Sequence, residues 1–293
     1  MDGVLLLDKP QGMSSNAALQ KARWLFNAEK AGHTGTLDPL ATGLLPLCFG
    51  EATKFAGTLL DAGKSYRATV RLGIVTDSAD AEGAVLETRP VTVTEAEVRA
   101  LLPRFTGEIE QVPPMHSALK RDGVPLYELA RRGIEVERAP RRVVIHALVL
   151  SNWAGDRFDL DVDCSKGTYV RTLAADLGAA LGCGAHLAAL RRTRVAGIDL
   201  EKAVTLEALE ALPAAERDRL LLPPDALLLE LPLARLSPTE AERLLHGQAV
   251  RWNGKPGERL RLYGPPGFVG LGECTTDGWL QPKRLVAGVT ADH

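Results

Sequence analysis

The sequence predicts an α+β protein with two parts, a large one that mixes strands and helices and a small, mostly β module at the C-terminus. Three observations carry this. In "KSYRATVRLG" the residues Tyr66, Ala68, Val70 and Leu72 alternate with polar ones, the period of a half-buried strand. The stretches "VVIHALVLSNW" and "RFDLDVDCS" are strand-like neighbours and pair best as antiparallel partners. Near residue 231, after a Leu/Pro-rich acidic stretch, the chain changes to Gly/Pro-punctuated segments with short strand candidates.

The elements follow in order. "GVLLLDKPQGMSSNAALQKARWLF" reads as a strand, a Pro/Gly turn and a helix that Ser14 or Ser15 can cap. "GEATKFAGTLL" reads as helical, and "TDSADAEGAV" as a polar turn region. Thr94 and Glu97 stand three residues apart as a capping box that opens the helix "EAEVRALLPRF". The Pro-rich basic run "QVPPMHSALKRDGVPLYELARRGIEVERAPRRV" reads as an inserted excursion, about 113–142, with a short helix around Leu126–Arg132. "GTYVRTLAADLGAALG" is a helix with Val170, Leu173, Leu177 and Leu181 on its apolar stripe. Beyond the composition shift, Ser237, Pro238 and Glu240 announce another helix, followed by the strand candidates "RLRLYG", "FVGLGEC" and "WLQPKRLV". The domains expected are therefore 1–230 and 231–293.

Composition bounds the function. The 293 residues are 45% hydrophobic and 25% charged, ordinary for a globular protein, and no apolar run approaches the ~18–20 residues of a membrane span. The N-terminus lacks the pattern of a secretory leader, so a cytoplasmic protein is expected. The four cysteines, at 48, 164, 183 and 274, are scattered, as are the six histidines, and neither set has metal-ligand spacing. Net charge is −2, but it is unevenly spread: Ser117–Ile145 carries seven basic against four acidic residues, and Cys164–Arg194 five against one. These two blocks are either solvated faces or, if the fold joins them, a local surface for phosphates.

One residue stands out. In "GHTGTLDPLATGLLPLCFGEATKF" the aspartate Asp38 lies between a Gly/Thr turn and an apolar run, with no nearer charges than Lys30 and Glu51. Asp-Pro is a common turn starter. A carboxylate at the rim of an apolar core is nevertheless costly unless paired. The candidate partner is Arg171 in "CSKGTYVRT", at the start of a helix after a strand, with Tyr169 two residues earlier.

These stretches, together with "LLLDKPQGMSSNAALQKAR", "KSYRATVRLG", "TDSADAEG", "QVPPMHSALKRDGVPLYELARRG" and "CSKGTYVRTLAADLGAALGCGAHLAALRR", resemble in order the motif blocks of the tRNA pseudouridine-55 synthases of the TruB type. The likeness spans roughly residues 3 to 195, and the C-terminal part matches more loosely the small PUA-like module of such enzymes. The resemblance implies the pseudouridine synthase fold, a central mostly antiparallel sheet flanked by helices and loops. It implies isomerisation of uridine 55 in the tRNA T loop: the N1–C1′ bond breaks, uracil turns, and C5 rejoins the sugar. Asp38 is then the catalytic group, attacking C1′ or abstracting the C2′ proton. Tyr66 stacks on the base and helps remove the C5 proton, and Arg171 pairs with Asp38. Tyr169 and Leu190 line the uracil pocket, and His33 stacks in the RNA where the flipped nucleotide left a gap. Lys9 and Pro10 support the floor of the site, Lys9 being counted among the substrate-binding residues. The 113–142 insertion closes over the RNA, with Arg141 and Arg142 on phosphates. No metal, cofactor, protein partner or membrane is expected, and a monomer that binds the T stem-loop is.

The chemistry is consistent with these roles. A carboxylate can stabilise or trap positive character at C1′. Simple glycoside hydrolysis generally takes two carboxylates, and no second one stands out in these motifs; in an isomerisation uracil is both leaving group and returning nucleophile. Extruding a stacked uridine costs energy that aromatic contacts from Tyr66 and His33 offset. Three rivals remain. A guide-dependent synthase would need a ribonucleoprotein, an RNA-folding protein would keep its function without Asp38, and a nucleoside glycosidase would release free uracil.

Overall fold

The computed structural model describes residues 1–265 and 267–287, so residue 266 and the end of the proposed second domain, 288–293, lie outside the described residues. A ten-stranded sheet organises the larger part. Its first four strands are β1 (Gly3–Lys9), β2 (Ala31–His33), β3 (Thr42–Phe49) and β4 (Lys64–Leu72). Across the sheet the order is Val204–Thr205, β1, β3, Ala185–Val195, β4, Arg157–Cys164, Arg141–Ser151 and Gly107–Gln111, with β2 paired to β3 and Ile198–Asp199 paired to Ala185–Val195. All pairings are antiparallel except β1 with Val204–Thr205 and β3 with Ala185–Val195. The expected pairing of "VVIHALVLSNW" with "RFDLDVDCS" is present, Leu150 standing opposite Leu160.

Burial explains the two kinds of strand. The strands β1, over residues 4–7, and β3, over residues 44–49, are apolar runs because both faces are covered. Leu5, Leu7, Leu45 and Leu47 join the main core, which the helices α1 (Ser15–Leu25) and α4 (Val170–Ala180) complete with Leu19, Leu25, Leu173 and Leu177. Val4, Leu6, Leu44 and Cys48 face the other way, against Ala52, Leu59 and Leu227. By contrast β4 and Arg157–Cys164 are covered on one face, by the period-2 rule. Tyr66, Ala68, Val70 and Leu72 point into the core with Phe158, Leu160 and Val162. On the open face Arg67 pairs with Asp161 at 2.9 Å, Arg71 with Asp156 at 2.7 Å and Arg194 with Asp163 at 3.1 Å. Of the 164–194 block, Arg194 is therefore neutralised by Asp163, two strands away in the sheet.

Local signals set the helix ends. Ser14, not Ser15, caps α1 by accepting from the Ala17 N–H at 3.1 Å. The helix α2 (Glu95–Leu101) opens on the Thr94/Glu97 capping box. The run "GEATKFAGTLL" forms a 3-10 helix, Gly50–Asp61, rather than an α-helix. The excursion after Gln111 contains a short hairpin, Lys120–Arg121 with Val124–Pro125, and α3 (Leu126–Arg131).

A second sheet of five strands follows, in the order Leu233–Arg235, Arg259–Gly264, Gly267–Cys274, Trp279–Leu285 and Val250–Arg251. It has its own core of Ala234, Leu244, Val250, Leu262, Val269 and Leu280, closed by the helix Pro238–Leu245 with its Ser237 capping box. Buried Asp225 ties this sheet to the chain before it, accepting from the Tyr263 hydroxyl at 2.5 Å and from Arg261 at 3.2 Å. No helix among the described residues is long and apolar enough to cross a membrane.

Candidate active site

Asp38 sits in the loop between β2 and β3, and both its neighbours are clamped. The buried Ser15 hydroxyl accepts from the Leu37 N–H at 2.7 Å and donates to the Leu37 carbonyl at 3.0 Å. On the other side the Pro39 carbonyl accepts from the Gly12 N–H at 2.8 Å and from Lys9 Nζ at 3.5 Å. Lys9 is fully buried and also donates to the carbonyls of Pro10 at 2.8 Å and Met13 at 2.5 Å. The expectation that Lys9 contacts substrate is thereby corrected. Its ammonium is consumed by the turn that carries Asp38, and burial lowers its pKa to about 8 although Asp38 opposes the shift.

The Asp38 carboxylate itself is 39% exposed, while its partner Arg171 is 5% exposed, so one end of the pair faces solvent and the other is fixed. Arg171 Nε lies 2.9 Å from Asp38 Oδ2. Arg171 Nη1 donates to the Ser78 carbonyl at 3.1 Å and Nη2 to the His116 carbonyl at 2.6 Å. A second carboxylate that the motifs did not single out stands behind it: Asp80 Oδ2 is 3.6 Å from the same Nε. Asp80 is held by the Ser78 hydroxyl at 2.5 Å and the Glu82 N–H at 3.1 Å. The turn "TDSADAEG", read from sequence only as a polar turn region, thus carries a buried acid. Asp80 does not line the cleft, where Asp38 is the one carboxylate.

That cleft, about 240 Å³, is lined by Asp38, Tyr66, Tyr169, Arg171, Leu190 and Arg192, with Lys64, Leu60 and Ser117 also on its walls. Tyr66 and Leu190 come from β4 and its neighbour Ala185–Val195, where Leu190 is opposite Ala68 and Arg192 is opposite Tyr66. Burial pushes the Tyr66 phenol above its ordinary range, with Arg192 acting against it. Tyr169 caps α4 without a side-chain bond; buried Gln111 brackets it instead, accepting from its N–H at 3.1 Å and donating to its carbonyl at 3.3 Å. Gln111 was not legible as a site residue, its only signal being an amide at the inner end of a strand.

The remaining residues are placed less centrally. His33 ends β2, half-buried, its Nδ1 enclosed without a partner; burial and Arg192 lower its pKa and favour the neutral ring. Arg141 and Arg142 lie on a strand, not in the excursion, and adjacent strand positions face opposite sides. Arg141 is opposite Gln111 and so on the Tyr169 side. Arg142 is opposite Glu110, and pairs with Glu108 at 3.3 Å and Glu110 at 4.0 Å. The site does not gather it.

Comparison with known proteins follows the same lines. A model of the TruB family pseudouridylate synthase N-terminal domain matches residues 23–170. Models described as tRNA pseudouridylate synthase B C-terminal domain and pseudouridine synthase II TruB, C-terminal, match 171–229 and 232–286. The tRNA pseudouridine synthase B of Aromatoleum aromaticum is 61% identical over 289 residues, 99% of this chain and 94% of that one. That of Dechloromonas aromatica is 59% identical over 286 residues, covering 98% and 96%. Among solved structures, the fold resembles a chain of a Cbf5-Nop10-Gar1 complex with a TM-score of 0.75 and 26% identity, over 97% of this chain and 84% of that one.

Proposed function

This chain belongs to the TruB family of pseudouridylate synthases, and on that premise we propose that its cleft converts uridine 55 in the T loop of tRNA to pseudouridine, with Asp38 as the reacting group. The chain has the pseudouridine synthase fold with a small β domain after it. The observation that carries the assignment of Asp38 is its pairing: a partly exposed carboxylate, clamped on both sides, held at 2.9 Å by a buried guanidinium at the wall of a cleft. In that setting the carboxylate is held aimed into the cleft by a charge-assisted contact.

In this reading a uridine flips out of the loop and enters the cleft between Tyr66 and Leu190. Asp38 either bonds to C1′ as N1–C1′ breaks or takes the C2′ proton, and both schemes leave uracil free to turn. Leu190 and the walls around it keep water from the sugar, so that uracil rather than water returns. Tyr169 borders the pocket, His33 fills the stack that the uridine left, and Arg141 meets the phosphate backbone. The catalytic domain is residues 1–230 and the PUA-like domain 231–293. The protein acts alone, as a cytoplasmic monomer, without metal or cofactor.

The high identity to relatives named as tRNA enzymes, against 26% to a chain from a Cbf5-Nop10-Gar1 complex, favours the stand-alone reading. Incubating the purified chain with a bare, unmodified tRNA transcript and chelator tests it. Pseudouridine at one T-loop position is expected. Tight binding without modification would point instead to a guide-dependent enzyme or an RNA-folding protein.

A further inference from the structure

Arg192 is the most deeply buried charge in the cleft, 1% exposed, and its Nη donors are only weakly engaged. Nε is committed to the Leu44 carbonyl at 2.7 Å. The two Nη groups reach the carbonyls of Thr36 and Gly35 each at 3.5 Å, the limit of a hydrogen bond, and otherwise face the Tyr66 phenol, a neutral acceptor. Among the described residues no carboxylate lies within ion-pair distance of it, whereas the other buried arginine, Arg171, has Asp38 and Asp80. A guanidinium cannot shed its charge as an amine can, so the cost of this burial persists. Its position is enforced from behind, since a Cβ on Gly43 would fall 2.3 Å from the Arg192 carbonyl oxygen and only glycine lets the two strands approach. Across the strand pair it faces Tyr66, the residue placed against the base.

We infer that Arg192 stabilises the uracil anion released when the glycosidic bond breaks, by turning its weakly engaged N–H donors to a carbonyl oxygen of the base. This rests on the functional reading above. When N1–C1′ breaks, the bonding pair stays on N1 and spreads to O2 and O4. If Asp38 attacks, its oxygen bonds to C1′; in the other scheme the C2′ proton moves to Asp38. Either way the departing base carries the same negative charge. That charge disappears when C5 bonds to C1′, the Asp38 bond or proton is returned, the C5 proton is lost and N1 gains one. A fixed cation beside the base lowers the barrier without a proton donor, which accounts for a cleft whose described lining has one carboxylate and no second carboxyl group to protonate the leaving group. Lys64, whose Nζ is spent on the Ala62 carbonyl at 2.8 Å, adds to the field but is not free to make the contact.

The test is single-turnover loss of the parent nucleoside, read by digestion and mass spectrometry, from transcripts that carry uridine or 5-fluorouridine. Fluorine makes the departing base a weaker base, which needs less help. For uridine, Arg192→Met should slow cleavage by roughly 10²–10³-fold and Arg192→Lys by less. For 5-fluorouridine the deficit of Arg192→Met should shrink by about tenfold or more, as a leaving-group effect requires. Thermal unfolding and tRNA affinity, measured on both variants, identify any loss of fold. Equal deficits on the two substrates, or full activity in Arg192→Met, overturn the proposal while leaving the enzyme's assignment intact. Wild-type protein inactive on both transcripts would overturn the functional reading and the proposal with it.

Discussion

Arg171 Nε stands 2.9 Å from Asp38 Oδ2 and holds that carboxylate from a position 5% exposed. The geometry depends on all three nitrogens of the guanidinium, because Nη1 and Nη2 are anchored on the carbonyls of Ser78 and His116. A lysine has one nitrogen and cannot reproduce the fork. Arg171→Lys should therefore lower kcat by about 10²-fold, the cost of a misplaced reacting group, while tRNA affinity changes little. Equal losses in single-turnover rate and in filter-binding affinity would contradict the assignment.

The clamp on Leu37 predicts a coupled effect. Ser15→Ala leaves the Leu37 N–H and carbonyl without their buried partner, at a cost of about 1–3 kcal/mol. Urea unfolding should show this loss, and turnover should fall while affinity holds, since the loop carrying Asp38 loosens. Unchanged stability with unchanged turnover would mean that Leu37 finds another partner.

Lys9 gives a pH signature. Burial lowers its pKa from 10.5 to about 8 in the folded protein. Between those values the unfolded chain binds the additional proton, so stability from this group is lowest below pH about 8 and rises as pH climbs toward 10.5. The difference in unfolding free energy between wild type and Lys9→Met should shift in favour of wild type over that window. A flat difference would show that Lys9 is not desolvated.

Arg141 and Arg142 should separate. Arg141→Glu should raise the Michaelis constant and reduce the salt slope of tRNA binding by about one. Arg142→Glu should do much less, because Arg142 faces Glu108 and Glu110 on the other side of the strand. Equal effects would place both arginines on the RNA.

What was legible in the sequence follows periodicity and local chemistry. The alternation through Tyr66–Leu72, the two capping boxes and the isolation of Asp38 are local features, and each led to the element or residue in question. Asp80 and Arg192 were hidden because their meaning depends on tertiary approach. Asp80 sits among Asp77 and Glu82 in a turn that reads only as polar, and only its approach to Arg171 marks it. Arg192 follows Arg191, and a charged pair reads as surface, yet consecutive strand positions face opposite sides. Arg191 reaches out to Asp8 at 2.6 Å while Arg192 is turned inward. The 3-10 form of Gly50–Asp61 was likewise beyond composition, since its apolar residues Ala52, Phe55 and Leu59 fit either helix.

The central claim is that Asp38 is a reagent and not a turn residue. It is tested most directly by mapping pseudouridine at single-nucleotide resolution after incubating a tRNA transcript with wild type and with Asp38→Asn. The variant keeps the size of the side chain and the Asp-Pro turn, so its fold and tRNA affinity should be close to those of wild type. One T-loop pseudouridine with wild type and none with Asp38→Asn, at equal binding, is the expected result. Modification by the variant at the wild-type rate would contradict the account and leave Asp38 only its place in the turn.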